Sequence, residues 1–225
     1  MTVDERRLDT TFWRMIVVYG HTRNIDKTQL VCDVIQAFPK VNWIVGKITL
    51  HDRGLSSPTE QSCVFEWETH RDSATDSARY LAAGATRSFW LRLKQDSLDA
   101  CMPILSQALR DLPADAGSVT RKTALILESN SLLQFLKPSL FFAMVDPDRE
   151  DFKDSAQTAL AKANALILRG AAHDMDAPPS PLWMKVPAKL LQERPSVLQK
   201  PGEPLPRPLE SLIHQMLDDA PSVEF

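Results

Sequence analysis

A lysine followed by a threonine stands where an apolar run gives way to a helical pattern. Such a pair can hold phosphate and a metal ion. Free backbone N–H groups and the helix dipole bind anions at a helix N-terminus. In a loop of this kind the lysine reaches the β- and γ-phosphates of a nucleotide, and the adjacent hydroxyl ligates Mg²⁺. The predicted nucleotide-binding residues of the loop are Gly20, Arg23, Asn24, Ile25, Asp26, Lys27 and Thr28. Thr28 is also a predicted metal ligand.

The loop departs in two ways from the usual phosphate-loop pattern, G-x-x-x-x-G-K-[ST]. It is one residue longer, and Asp26 stands where a glycine is expected. Glycine there lets the backbone approach phosphate closely and adopt torsions that other residues resist. Two unit charges about 4 Å apart repel by about 4 kcal/mol at an effective dielectric constant near 20. Two interpretations therefore stay open: a loop that binds nucleotide, and a relic that keeps the fold and binds nucleotide poorly.

Apolar runs and helical periodicities alternate along the chain. Continuously apolar strands that alternate with helices predict an α/β fold, a mostly parallel sheet with helices on both faces. We expect residues 51–73, which have no clear period, to form a long loop or lid. The predicted strands are 12–20, 42–50, 86–93, 123–128, 139–146 and 165–168, and the predicted helices are 27–38, 75–83, 97–112 and 151–163.

The composition divides the chain into three parts. We expect an N-terminal extension at 1–11, an α/β domain at 12–176 and a proline-rich C-terminal segment at 177–225. Most of the sixteen prolines lie in the last part. This composition predicts a chain that wraps the domain or is partly disordered. Residues 208–218, which begin with proline, have the pattern of a short amphipathic helix.

Two charged residues lie at predicted strand ends, the edge at which open α/β sheets bind ligands. Glu128 ends the strand at 123–128, where a carboxylate can hold the Mg²⁺ shell or orient a water molecule. We predict Glu128 as a catalytic residue and a metal ligand, and Lys47 as a phosphate contact. The alternatives are a helix-capping glutamate and a lysine that reaches solvent.

Weaker candidates also follow strand ends or precede a helix. Asp146 stands in a sequence that equally suits a turn. Asp72 and Asp76, four residues apart, would face the same way on a helix, although Asp76 also suits a plain helix N-terminal charge. His51 and Asp52 open the predicted loop and could join a metal or phosphate site.

The order of these features resembles that of molybdopterin-guanine dinucleotide biosynthesis protein B, a family of P-loop NTPases. The resemblance rests on three segments: Gly46–His51, Asp72–Ala85 and Leu125–Glu128. The longer loop is similar to that of dethiobiotin synthetases and cobyrinic acid amidases. The main resemblance implies a P-loop NTPase fold, Mg²⁺ with guanine nucleotide, slow hydrolysis and a protein partner in molybdenum-cofactor maturation. No N/T-K-x-D motif is present, so GTP and ATP both stay open.

The composition of the chain limits the kinds of partner that we expect. The formal net charge of -3 gives no broad basic field, so we expect no nucleic-acid partner. No apolar run reaches the roughly 18–20 residues that span a bilayer, and we expect no membrane partner. Three widely spaced cysteines favour a cytoplasmic protein. Three functions stay open: a slow NTPase acting through a partner, a non-enzymatic interaction protein with a degenerate loop, and a dethiobiotin-synthetase-like ligase or kinase.

Overall fold

The structure is a computed structural model that describes residues 13–22, 24–51, 63–94, 97–112, 121–146, 149, 154–169, 193–200 and 202–219. The strands are β1 Arg14–Gly20, β2 Asn42–His51, β3 Cys63–Glu68, β4 Arg87–Lys94, β5 Thr123–Glu128, β6 Leu140–Val145, β7 Ala165–Leu168 and β8 Ser196–Leu198. The helices are α1 Lys27–Ala37, α2 Asp76–Ala83, α3 Leu98–Arg110, α4 Asp154–Leu160 and α5 Arg207–Asp218. A 3₁₀ turn covers Leu132–Gln134.

The strands form one eight-stranded sheet in the order β3-β4-β2-β5-β1-β6-β7-β8. All neighbouring strands pair in parallel except β3, which runs antiparallel to β4. Parallel neighbours need crossover connections, and helices supply most of them. The predicted mostly parallel α/β sheet is confirmed.

Each face of the sheet is covered by helices, as the sequence predicted. One core cluster contains Leu105 of α3 and Leu160 of α4. The other contains Leu30 of α1, Tyr80 of α2 and Ile213 of α5. Because both faces are covered, the central strands are apolar along most of their length, and all six residues of β6 are buried.

The prediction of a loop or lid over residues 51–73 is wrong for Cys63–Glu68, which form the edge strand β3. This strand is only half buried, so its sequence lacks the continuous apolar run that marked the central strands. Its contacts come from the neighbouring strand, where Phe65 stacks on Phe89 with ring centroids 4.9 Å apart. Glu66 projects from the strand and pairs with Arg92 at 2.5 Å, which is typical of a charged sheet edge. Residues 52–62 lie outside the described ranges.

Parts of the proline-rich segment pack on the same sheet. The predicted helix at 208–218 is confirmed as α5, which begins one residue earlier and has Pro208 in its first turn. Its apolar side, including Leu209, is buried in the α1-side cluster. β8 was not predicted, because three residues among prolines carry no usable period. The boundaries at residues 11 and 176 stay predictions, since both lie outside the described ranges. No helix in those ranges is long and apolar enough to cross a membrane.

Candidate phosphate-binding site

The predicted loop connects the end of β1 to the start of α1 and is closely folded. The Gly20 amide donates to Asn130 Oδ1 at 3.1 Å. A Cβ on Gly20 would lie 2.5 Å from Ile25 Cγ2 and 3.0 Å from Lys27 Nζ. Gly20 has no room for a side chain, because Ile25 lies against it and the side chain of Lys27 folds back over it.

Asp26, the residue in place of the expected glycine, has left-handed torsions, with φ 56° and ψ 33°. The backbone argument from the sequence is thus confirmed: this position does take a conformation that favours glycine. Aspartate and asparagine tolerate it better than most residues, at a cost on the order of 1 kcal/mol. Asn24 is left-handed as well. The Asp26 side chain is exposed and makes no capping hydrogen bond to α1.

Glu128 is the centre of the site and is 1% exposed. Thr28 Oγ1 donates to its Oε2 at 2.9 Å. Tyr80 donates its hydroxyl to the same oxygen, and the Lys47 ammonium donates to Oε1. Strand pairing places these groups together, because Lys47 lies opposite Glu128 in the register of β2 and β5. A buried carboxylate is tolerated when it is paired and hydrogen-bonded in this way.

The two lysines of the site are held differently. Lys47 also contacts Asp76 Oδ2 at 2.9 Å. Burial alone would lower the pKa of Lys47, but the charge of Glu128 and the hydrogen bonds to Glu128 and Asp76 raise it above its usual value. Burial lowers the pKa of Lys27, and the positive charge of Lys47 lowers it further against the opposing effect of Glu128. Among the described residues Lys47 forms two ion pairs and Lys27 forms none, so Lys27 is the lysine that would gain most from an anionic ligand.

Asp76 begins α2, just after the capping residue. Thr75 accepts a hydrogen bond from the Ala78 amide at 3.1 Å, so Thr75 is the N-cap. Against the effect of burial, hydrogen bonding to Lys47 holds the pKa of Asp76 below its usual value. Asp72 lies before the cap and is exposed. The expectation that Asp72 and Asp76 share a helix face is therefore wrong, and only Asp76 joins the site.

Tyr80 is a member of the site that the sequence analysis missed. It is fully buried, and burial, reinforced by the charge of Glu128, raises its pKa well above the usual value. A signal was available, because Tyr80 lies four residues after Asp76 and so on the same side of α2. Without the position of Glu128, however, that spacing equally suits a core tyrosine.

The other predicted residues lie around this centre. Ile25 is 3% exposed and packs in the α1-side core, so only its backbone can reach a ligand. Asp146, at the end of β6, donates its amide to His21 Nδ1 at 3.2 Å and lies 3.6 Å from Arg149. The remaining predictions, Arg23, Asp52 and the side chain of His51, lie outside what the structure describes.

The donor set suits magnesium in combination with phosphate. Magnesium prefers oxygen ligands and is usually held by one or two protein groups together with substrate phosphates. Thr28, Asp76 and Glu128 supply such oxygens, with Thr28 and Glu128 already in contact. Within the described ranges no group of three or more His, Cys, Asp or Glu side chains forms a metal site by itself. The Lys47 ammonium, between the two carboxylates, is a competing cation.

Comparison with known proteins gives a structural likeness and no sequence match. No protein-family model matches the sequence, and no curated protein matches it. The fold is similar to that of HypB from Helicobacter pylori, solved in complex with nickel, at 17% identity over 92% of this chain and 87% of that chain, with a TM-score of 0.50. An alignment with the MinC:MinD cell division protein complex of Aquifex aeolicus has 9% identity over 90% and 86% of the two chains and a TM-score of 0.40. The chain has an α/β fold of the P-loop NTPase type.

Proposed function

We propose that this chain binds the phosphates of a magnesium nucleotide, GTP or ATP, on the loop from Gly20 to Thr28. The observation that carries the proposal is the arrangement at the start of α1. Lys27 folds back over Gly20, and the next residue, Thr28, is bonded to a buried carboxylate on the neighbouring strand. A cation, a hydroxyl and the N-terminus of α1 are thus gathered at one point.

The residues of the loop and of the neighbouring strands have different roles in this proposal. Lys27 and Lys47 supply positive charge to the phosphates, and the loop backbone at Arg23, Asn24, Ile25 and Asp26 supplies amide donors. Gly20, whose amide donates to Asn130, leaves the space into which Lys27 folds back. Thr28 holds the metal ion. Because Glu128 accepts the Thr28 hydroxyl proton, the lone pairs of that oxygen are left for magnesium. Magnesium, when bound, neutralises phosphate charge and polarises the terminal phosphate.

We infer that any hydrolysis is slow. A general base must be within reach of the proton that it removes. Three hydrogen bonds already use most of the acceptor capacity of Glu128, one from Lys47 to Oε1 and two from Thr28 and Tyr80 to Oε2. The carboxylate is therefore a positioning group in this arrangement. We propose a slow NTPase that acts through a protein partner in the cytoplasm, as in the molybdopterin-guanine dinucleotide biosynthesis protein B group. The geometry supports the slow hydrolysis in this proposal, and the resemblance in sequence supports the rest.

Two observations keep a second function open, that of an interaction protein with a degenerate loop. Asp26 brings a carboxylate to the phosphate loop. Lys47 already pairs with both acidic groups of the site, which reduces their availability to a metal ion. A dethiobiotin-synthetase-like ligase or kinase is the third candidate, and its support is the length of the loop.

The test is a calorimetric titration of the purified protein with Mg-GTP and with Mg-ATP. We expect weak binding of at least one nucleotide, and its loss in Lys27→Ala, because Lys27 is the least compensated cation of the site. Lys40→Ala is the matched control, since Lys40 is exposed just beyond the opposite end of α1, and it should bind like the parent. Phosphate release in the same samples measures hydrolysis. A parent that binds neither nucleotide, or a Lys27→Ala protein that binds as well as the parent, would contradict the proposal.

A further inference from the structure

A second buried charge lies at the carboxyl edge of the sheet, directly after β7. Arg169 is 4% exposed. None of its three guanidinium nitrogens has a hydrogen-bond partner in the described part of the chain. A buried charge without hydrogen bonds costs free energy. Stability therefore does not explain this arginine, and a functional constraint has to be sought in its surroundings.

The surroundings are the side of the sheet that carries α1. Ala165 and Ile167 belong to the α1-side core, and Arg169 continues their alternation along the strand. Its neighbour on the next strand is Gln199, which follows the pairing of Leu168 with Leu198. Gln199 is 1% exposed and donates to Asp33 Oδ2 of α1 at 3.4 Å. The ends of β7 and β8 thus meet one particular side of α1.

That side of α1 is acidic. Asp26, Gln29 and Asp33 are spaced by three and four residues and so lie on one side of the helix. Gln29 donates to Asp33 Oδ1 at 2.8 Å, so both oxygens of Asp33 accept hydrogen bonds, one from Gln29 and one from Gln199. Burial lowers the pKa of Arg169, and the two charges that oppose this are Asp26 and then Asp33. Of these two, Asp26 makes no capping hydrogen bond to α1, so its carboxylate is the freer one to respond to the charge of Arg169.

We propose that Arg169 draws the Asp26 carboxylate toward β7 and away from the bound phosphates, so that the loop accepts a residue that replaces its glycine. Arg169 is a positioning residue in this arrangement, since it acts through Asp26. The inference rests on the proposed nucleotide binding. It accounts for a carboxylate at the loop, and it gives a role to a buried guanidinium that has no hydrogen-bonded partner among the described residues.

A double-mutant cycle separates positioning from direct contact. The four proteins are the parent, Arg169→Met, Asp26→Gly and the double variant, each titrated with Mg-GTP and Mg-ATP. In the presence of Asp26, Arg169→Met should weaken binding about tenfold, because the released carboxylate can turn toward the phosphates. In the Asp26→Gly background the same change should weaken binding by no more than about threefold, since only the distant charge of Arg169 is lost. Such non-additivity is expected of interacting residues.

Two results would overturn the inference. Equal losses in both backgrounds would mean that Arg169 acts on the nucleotide directly and not through Asp26. No loss in either background would mean that Arg169 has no part in binding. Arg169→Lys keeps the charge without the planar fork, and it should retain most of the affinity of the parent if charge is what matters. Arg110→Met, an exposed arginine on the opposite side of the sheet, is the matched control and should bind like the parent.

A ligand-free measurement distinguishes failure of this inference from failure of the proposed function. The same four proteins are unfolded with urea. Arg169→Met should lower the urea midpoint more when Asp26 is present than when glycine stands at position 26. If the parent binds neither nucleotide, the proposed function fails, and the urea cycle then decides whether Arg169 and Asp26 interact. Additive midpoint shifts would show that they do not.

Discussion

Two buried charges at the same edge of the sheet are compensated to very different degrees. Glu128 is 1% exposed and accepts hydrogen bonds from three side chains. Arg169 is 4% exposed, and its guanidinium makes none with the described residues. The position of each strand explains the difference. β5 lies between β1 and β2, and donors approach Glu128 from β2, α1 and α2, whereas β7 has the short β8 beside it.

This difference shows which part of the site is fully hydrogen-bonded without a ligand. Glu128 and its donors form a closed set, so they are positioned before any ligand arrives. Arg169 has no such set among the described residues, and the charges that oppose the effect of burial on its pKa are those of Asp26 and Asp33. The first arrangement fixes where Thr28 lies, while in our proposal the second influences how Asp26 lies.

The largest expected effect is on stability when Glu128 is removed. Glu128→Ala leaves Lys47 with one acidic partner and the buried hydroxyl of Tyr80 without its acceptor. Breaking a buried pair of this kind costs about 3–5 kcal/mol. We expect a loss of this size in the free energy of unfolding, measured with urea, and no comparable loss for Arg169→Met.

The control for that prediction is Glu66→Ala, which removes an exposed carboxylate that pairs with Arg92 at the sheet edge. Exposed pairs contribute about 0–1 kcal/mol. If Glu128→Ala destabilised the protein no more than Glu66→Ala, the closed set around Glu128 would not exist in solution.

A smaller effect is expected from Tyr80→Phe. This change removes one donor and leaves Glu128 with Thr28 and Lys47. A hydrogen bond to a charged group contributes about 1.5–3 kcal/mol, and the unfolding free energy should fall within that range. Tyr19→Phe is the matched control, because Tyr19 is buried to a similar degree and contacts Phe141 through its ring. Equal effects of the two changes would mean that the Tyr80 hydroxyl makes no special contribution.

The smallest expected effect is on the pH dependence of the free energy of unfolding at alkaline pH. The pKa of Lys47 in the folded protein is raised above the usual 10.5, so its contribution is complete below that value and is lost as the pH rises through the raised pKa. Stability should therefore fall with pH in this range. In Lys47→Met the free energy of unfolding should fall less steeply with pH. The difference in slope from the parent is at most about 1.4 kcal/mol per pH unit, the limit for one proton. Urea unfolding between about pH 9 and pH 12 measures this slope.

The control for the pH prediction is Lys40→Met, which removes an exposed lysine and should leave the slope unchanged. A slope in Lys47→Met identical to that of the parent would show that Lys47 is not held by Glu128 and Asp76 in solution. Together with the two stability measurements, this result would contradict the contrast between the two buried charges.

Much of the fold was predictable because its signals are local. The central strands are continuous apolar runs, and α2 has both its capping threonine and its terminal glycine, with Gly84 at φ 115°. These patterns depend on neighbours within a few residues. β3 and β8 escaped prediction because an edge strand needs little apolar sequence when an adjacent strand supplies its pairing. Their assignment requires β4 and β7 to be in place.

The sequence on its own determined that a lysine and a threonine stand at the start of a helix behind a buried strand, and that Glu128 ends another buried strand. It also determined that a carboxylate replaces the loop glycine. Tertiary structure alone decided that Thr28, Lys47 and Tyr80 meet on Glu128 across 100, 81 and 48 residues of sequence. It likewise placed Arg169 beside the acidic side of α1. The physical reason is that parallel pairing joins strands distant in the chain, so the partners of a buried charge cannot be read from its neighbours in sequence.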